Sequence, residues 1–515
     1  MKKFLVRGAM TPFEIFTAEE MLEKDRTGSN NGNLLYQYSV MRALMINEEI
    51  NFTPDGYLYN ASQFRAEEIN ETYDAYIMPL ADAFRDDFRS TLRGYTQLIK
   101  QLKIPVHIIG VGLRASYEPN LSNGFAFDDD VKDFIKAVLE KSPQVGLRGE
   151  ITADYLKQLG FKEGVDYRVI GCPSLYTFGR NLMLRQPKLT KEAYISLNAS
   201  PSTSHQTLQF LEQVSTEYPN HYFIPQLHNE LFLTYSGGPS IATESEIYPH
   251  TLHHHFYRSG KAKYFLSART WFDYMKKIEI SVGSRLHGNV AATVVGTPSI
   301  SIVQDARMRE LTNWHGLAHT TLEQINQYSH LEDLLSAVDL STVEKKQGKN
   351  FDNFIDFLTY IGLEHIYEQD RHLTEIPFDK KIQNVSEEPP VESLTTLSPE
   401  GMLERIQIGS TIYKSRADRQ LQFNIHTRES TLKKLRNDLS ILNKKHKSTK
   451  NNLATTQEAI KNKDTQISQL EKIIAEQTNQ LAKNSQEIDY LQQTLNRKSV
   501  KTALTIADKI AALKK

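Results

Sequence analysis

The stretch that most constrains the fold runs from Lys276 to Leu311, KKIEISVGSRLHGNVAATVVGTPSISIVQDARMREL. β-Branched residues crowd two short runs, 278–282 and 299–303, and the pattern predicts a strand in each. Between them a helix is expected over about 287–295, closed by the Gly296-Thr297-Pro298 turn. Strand, helix and strand within so short a span make a crossover, so the two strands should be parallel neighbours. Gly283, Ser284, Arg285 and His287 then fall where the first strand ends and the helix begins. Open α/β sheets bind ligands beyond those strand ends. A helix N-terminus there adds unpaired N–H groups and a partial positive charge, which suit a phosphate.

The same alternation continues on both sides. TGSNNGN at 27–33 is turn chemistry. It feeds a helix expected over 34–46, with Leu35, Tyr38, Met41 and Met45 on one face. Asn31 and Asn33 in that loop can cradle an anion or a sugar; the plain alternative is a turn that needs positive φ at Gly32. Strands are expected at 74–80, 104–109, 144–147 and 167–170, with helices at 88–102, 131–140 and 151–159. After a connector at 180–191, strands are expected at 193–197, 221–224 and 263–265, with helices at 207–216, 331–338 and 354–367. Strands alternating with helices imply parallel doubly wound sheets, hence an α/β fold with one domain over 1–185 and a second over 190–370. Residues 371–420 read as a linker. Gly110-Val111-Gly112 runs straight into Leu113-Arg114 without a third glycine in register, so no dinucleotide cofactor is expected.

At 515 residues the chain is too long for one core. One cysteine excludes an internal disulfide and suits a reducing cytosol. The opening MKKFLVRG has too few consecutive apolar residues for a signal-peptide core, and no run reaches the ~20 needed to span a bilayer. A cytoplasmic protein is expected, without nucleic acid as a partner. Net charge is −1, but residues 421–515 carry 18 Lys+Arg against 9 Asp+Glu, so the tail is basic and the remainder acidic. That asymmetry gives the two parts different partners.

The tail has its own pattern. From Ile425 to Leu495 every seventh position is Ile or Leu except His446, with no proline or glycine between. The companion column, starting at Arg428, is apolar at only four of its ten positions. An apolar stripe on an unbroken helix predicts a coiled coil over 421–498, on the order of 100 Å long, and self-association as a parallel dimer. Residues 499–515 form a basic amphipathic end. It would suit an anionic membrane face, placing the protein at its inner surface, or be a solvated helical end.

The GSRLHGNVAATVVGTPSISI block, with QDARMREL after it, resembles the signature of the polysaccharide pyruvyl transferases. SNNGNLLYQYSVMRAL, VHIIGVGLRAS, and VGLRGEITADYLKQLGF with its following VIGCPSLY match as well. The resemblance implies two facing Rossmann-like domains of the GT-B kind. It also implies transfer of the enolpyruvyl group of phosphoenolpyruvate onto sugar hydroxyls, forming a pyruvate ketal. No cofactor or metal is implied beyond that donor substrate. The acceptor would be a sugar, a nucleotide-sugar or a lipid-linked glycan of a cell-surface polysaccharide.

On this reading Arg285 and His287 are the catalytic pair. Arginine offers a planar fork to phosphate or carboxylate, and histidine can supply a proton. From spacing alone they would be a surface arginine and a capping histidine. Arg148, Ser284, Gly288, Asn31, Asn33, Arg114 and Asp305 are the candidate binding residues. Arg148 follows a strand and could point into a cleft or stand solvated at a helix start. Asp305 could orient a hydroxyl or simply hold Arg307. His250, His253, His254 and His255 invite a metal, but no accompanying Cys or HExxH pattern supports one, so a polar surface is expected there. Cys172 stands where many family members carry aspartate, and reads as a small buried residue. A nucleotide-sugar glycosyltransferase and a non-catalytic polysaccharide scaffold are the competing readings.

Overall fold

The crossover forms. In the computed structural model Ile280–Gly283 and Ser299–Val303 are parallel neighbours, with Ser281 opposite Ser299, joined by the helix Leu286–Thr293. The structure describes residues 2–58, 63–448 and 453–495, with 502 and 506. The basic end expected over 499–515 therefore lies outside the described residues, apart from 502 and 506.

The first sheet uses β1 (Lys3–Val6), β2 (Asn51–Pro54), β3 (Ala75–Met78), β4 (Ala81–Phe84), β5 (Val106–Leu113), β6 (Val145–Leu147) and β7 (Tyr167–Val169). Its order is β2-β1-β3-β5-β6-β7, parallel throughout, with β4 pairing the far half of β5. Parallel strands covered on both faces read as continuous apolar runs, and every residue of β3, β5 and β6 is buried. Contrary to expectation, β5 does not stop at Ile109. Val111 pairs with Ala81 on one side and Leu147 on the other, so Gly110-Val111-Gly112 is sheet rather than phosphate loop. β1, β2 and β4 are only four residues long, too short for a periodic signal to rise above the surrounding loops.

The second sheet uses β8 (Ile195–Asn198), β9 (His221–Phe223), β11 (Ile280–Gly283), β12 (Ser299–Val303) and β13 (His319–Thr321), in the order β13-β12-β11-β8-β9, again parallel. β10 (Lys263–Tyr264) lies apart and pairs antiparallel with β14 (Val391–Glu392). Each sheet has its own apolar core, Leu5 to Val169 around the first and Ala193 to Leu334 around the second. The helix Thr342–Tyr360 returns to the first sheet, where Asn353 Nδ2 donates to the Val169 carbonyl at 2.8 Å. The strands of the two sheets fall within 1–185 and 190–370, yet both belong to one compact unit, Met1–Thr396.

Two expectations need correction. The linker expected over 371–420 is largely built into that unit. Phe378, Ile382, Val391 and Leu394 are buried, and Asp379 takes a bidentate pair from buried Arg42, at 2.8 and 2.6 Å. The unbroken helix expected over the heptads is instead two, Pro399–Ser448 and Leu453–Leu495. Asp438 meets Lys463 at 3.5 Å and Arg436 meets Glu471 at 3.6 Å. Partner numbers rise as the first helix is read backwards, so the two run antiparallel. The apolar stripe folds back on itself within the second unit, Leu397–Lys515, and this pairing covers it only in part: Leu432 is buried, whereas most of its other described positions stay half-exposed.

Candidate active site

The turn after β11 carries the centre of the site. Asn198, at the end of β8, fixes it from the neighbouring strand: its carbonyl accepts from Ser284 N at 3.0 Å and its Oδ1 from Arg285 N at 2.8 Å. The helix Leu286–Thr293 starts there, and among the described residues no acceptor meets the amides of Leu286 and His287. Arg285 Nε donates to the Ala199 carbonyl at 3.3 Å, and its Nη2 lies 3.9 Å from Glu230 Oε2, too far for a hydrogen bond. Glu230 is fully buried and accepts from the amides of Gln226 and Leu227 at 2.7 and 2.5 Å and from the Tyr248 hydroxyl. It aims Arg285 without saturating it.

The first sheet meets this turn with its own strand ends. Arg148 follows β6 and is 1% exposed, an unusual burial for a guanidinium. It stacks 4.9 Å from the Tyr36 ring and reaches Cys172 Sγ at 3.8 Å, while its Nε has no partner. Asp82 on β4 meets Arg307 at 3.2 Å and Arg85 at 2.9 Å. Burial opposes ionisation of Asp82, but Arg307, Arg85, Arg148 and Arg114 outweigh it and hold the carboxyl well below its ordinary range. Arg307 also meets Asp305 at 3.2 Å and leaves its Nε unpartnered and buried. Asp305 caps the helix Ala306–His315, accepting from Met308 N at 2.8 Å. Of its two expected uses, the structure places it on Arg307 and the helix start.

His287 sits among these cations. Its Nε2 is buried and without a partner. Burial first, then Arg148, Arg307 and Arg285, push its pKa down to about 3, with Asp82 opposing. The free site therefore holds a neutral imidazole within the electrostatic reach of three guanidiniums, each with an N–H left over. Buried unpaired donors are costly, and this set offers charge to a small polyanion.

The remaining expected residues are less central. Arg114, just past β5, is exposed and reaches the cluster only by its charge on Asp82. Ser284 Oγ pairs with Thr203 Oγ1 at 2.7 Å. Asn33 Nδ2 donates to the Thr27 carbonyl at 2.7 Å, a loop-bracing role. The helix Gly32–Leu44 does not present a free N-terminus: Asn30 Oδ1 takes Gly32 N, Asn30 O takes Asn33 N, and Asn31 O takes Leu34 N. Asn31 and Gly288 do stand against the His287 turn, as described below.

Asp82, Glu230, Arg307 and Glu310 were not legible as site residues. Buried Glu310 crosses to the first sheet, accepting from Thr152 N and Thr152 Oγ1, each at 2.9 Å. Burial lifts its pKa to about 7. Only the QDARMREL block hinted at Arg307 and Glu310; Asp82 and Glu230 sit in stretches with no motif. Cys172 is buried, as expected. Its N–H donates to His315 Nε2 at 2.8 Å. His254 and His255 converge on Glu212 at 3.1 and 2.7 Å. The ligating atoms of Glu212, His254 and His255 all lie within 4.8 Å of one another, a grouping that could hold a metal ion and that the His-rich run alone does not show.

A family model described as polysaccharide pyruvyl transferase matches residues 37–305, just over half of the chain. Arg148, Arg285 and His287 fall inside that span; Asn31, Asn33, Arg307 and Glu310 fall outside it. No curated protein matches the chain. Among solved structures it is similar to a UDP-GlcNAc 2-epimerase from Methanocaldococcus jannaschii, at 11% identity over 70% of this chain and 100% of that one, TM-score 0.37. It is also similar to the S. aureus MnaA structure with UDP, at 11% over 71% and 98%, TM-score 0.37. The glycosyltransferase SnogD from Streptomyces nogalater is similar at 9% over 69% and 95%, TM-score 0.29.

Proposed function

The chain belongs to the polysaccharide pyruvyl transferase family, and from that premise we propose that it takes the enolpyruvyl group from phosphoenolpyruvate and sets it as a ketal across two hydroxyls of a sugar. The observation that carries this reading is that Arg148, Arg285 and Arg307 all act electrostatically on His287 and that each guanidinium keeps an unpartnered buried nitrogen. Phosphoenolpyruvate carries a phosphate and a carboxylate on three carbons. It needs several cations within a few ångströms, and guanidinium forks fit both groups. The open amides of Leu286 and His287 add donors of the kind that bind phosphate at helix starts.

The chemistry then assigns roles. C3 of the enol gains a proton, an acceptor hydroxyl adds at C2, phosphate leaves, and a second hydroxyl closes the ring. The two hydroxyl protons end on C3 and on the phosphate. Charge grows on the departing phosphate, so Arg148, Arg307 and the helix start stabilise the transition state most where they face it. His287 is neutral in the free site; the arriving anions offset the guanidiniums and let it hold the proton it delivers. The GT-B arrangement, a sugar acceptor of whatever carrier, self-association through the tail and a place at the cytoplasmic face of a membrane belong to the same proposal. Incubation with phosphoenolpyruvate and a panel of sugars tests it, read as phosphate release matched by one pyruvate per sugar. Turnover of a nucleotide-sugar with no phosphate release from phosphoenolpyruvate would replace it with glycosyl transfer.

A further inference from the structure

The unpartnered polar atoms around the His287 turn are of two kinds. Arg148 Nε, Arg285 Nη2 and Arg307 Nε are cationic donors. Asn31 Oδ1 and Gln226 Nε2 belong to neutral amides that are 0% and 1% exposed. The two residues are neighbours. Asn31 N donates to the Gln226 carbonyl at 2.9 Å, and the residues beside them, Asn30 and Leu227, form an antiparallel bridge. Both press on the turn that carries the anion site. A Cβ on Gly32 would overlap the His287 ring, and a Cβ on Gly288 would stand 2.8 Å from Gln226 Nε2. Neither glycine needs positive φ, so both are there for room.

The orientation of the Asn31 amide is fixed, because its Nδ2 donates to the Phe265 carbonyl at 3.1 Å. Its Oδ1 is therefore a buried acceptor awaiting a donor. Ionised phosphoenolpyruvate has no hydrogen to give; its oxygens would repel that atom. Gln226 Nε2, on the residue whose carbonyl takes Asn31 N, has the opposite need. A hydroxyl group gives a hydrogen and takes one, so it satisfies both, and no charge is required.

Resting on the pyruvyl-transfer reading, we propose that Asn31 and Gln226 form a charge-neutral subsite for a sugar hydroxyl, Asn31 accepting from its O–H and Gln226 donating to its oxygen. The site is thereby divided by chemistry: guanidiniums for the anionic donor, amides for the neutral acceptor. His287 packs against Gly32, next to Asn31, and feels the charge of the guanidiniums. Sites that hydrogen-bond a substrate hydroxyl discriminate strongly, because a ligand without it leaves buried groups unpaired.

The test uses the full chain, saturated with phosphoenolpyruvate and titrated calorimetrically with methyl glycosides of galactose, glucose and mannose. Gln226→Met keeps side-chain length and removes the donor. Gln226→Glu is the second variant, keeping the shape and replacing the donor by an acceptor. Wild type should bind at least one glycoside. Each variant should weaken that binding about tenfold, while phosphoenolpyruvate affinity changes by less than about twofold in Gln226→Met, the variant that adds no ionisable group and on which the donor comparison is made. The proposal is overturned if no glycoside binds, since the amides are then merely hydrated, or if a folded variant binds the glycoside as wild type does. A matching loss of phosphoenolpyruvate affinity also overturns it, by assigning the amides to the donor half. Should wild type bind a glycoside in a Gln226-dependent way but not phosphoenolpyruvate, the hydroxyl subsite stands and the donor assignment falls.

Discussion

Arg148→Met separates a role in binding from a role in folding. Arg148 is 1% exposed and has no carboxylate within ion-pairing distance among the described residues; its contacts are the Tyr36 ring and Cys172 Sγ. A buried cation without a close counter-charge is a net cost to the fold. Replacing buried charged groups by apolar ones of similar volume is typically neutral or stabilising by about 1–4 kcal/mol. The lost stacking on Tyr36 returns about 0.5–2 kcal/mol of that. The free variant should therefore be as stable as wild type or slightly more so. Donor binding should suffer heavily, because truncating one half of a buried charge pair costs about 2–5 kcal/mol, roughly 30- to 5,000-fold in Kd. Denaturant unfolding with and without phosphoenolpyruvate reads both effects. At a hundred times the wild-type Kd the ligand adds about 2.7 kcal/mol to wild type and should add no more than about 0.9 kcal/mol to the variant. A variant that loses about 3 kcal/mol without ligand, yet keeps its ligand-induced gain, would make Arg148 a structural residue.

Three further outcomes are expected. Phosphoenolpyruvate binding near pH 5–6 should take up protons, because His287 rests at about 3 in the free site and the bound anions raise it. Titration in buffers of different ionisation enthalpy measures this, and an uptake unchanged in His287→Gln would exclude His287 as its source. Glu310 titrates near 7 in the fold against an ordinary 4.5. Its folded form binds the extra proton, so its contribution falls as pH rises from about 4.5 to 7, by up to about 3 kcal/mol; unfolding of wild type against Glu310→Gln across that window should show it, and parallel curves would contradict it. Ending the chain at Thr396 should leave phosphoenolpyruvate binding intact and lower the number of protomers per particle in light scattering, because most described apolar positions of the paired tail helices stay half-exposed; an unchanged number of protomers per particle would end the self-association idea.

What could be read from sequence depended on how long each signal ran. The βαβ unit at 278–303 was legible because β-branched runs, glycine and proline agree there, and it fixed both the parallel sheet and the position of Arg285 and His287. The second half of the site was not legible. Asp82, Glu230, Arg307 and Glu310 are single charged residues in stretches without period, and their roles arise from contacts across more than 50 positions, such as Glu230 with Arg285, and up to more than 200, as for Asp82 with Arg307. The asparagine loop was read for its backbone, whereas Asn30 and Asn31 themselves occupy those amides and the Asn31 side chain is the open group. The heptads mark an apolar stripe, and period alone does not say whether its cover comes from another chain or from the same one. Glu212, which joins His254 and His255, also comes from elsewhere in the chain.

The measurement that bears most directly on the central claim is equilibrium binding of phosphoenolpyruvate, against a nucleoside diphosphate such as UDP, to the full-length protein. The three guanidiniums acting on a neutral His287 predict one saturable phosphoenolpyruvate site, weakened at least about tenfold by each of Arg148→Met, Arg285→Ala and Arg307→Met. Saturable UDP binding that these substitutions weaken, with no binding of phosphoenolpyruvate, would contradict it.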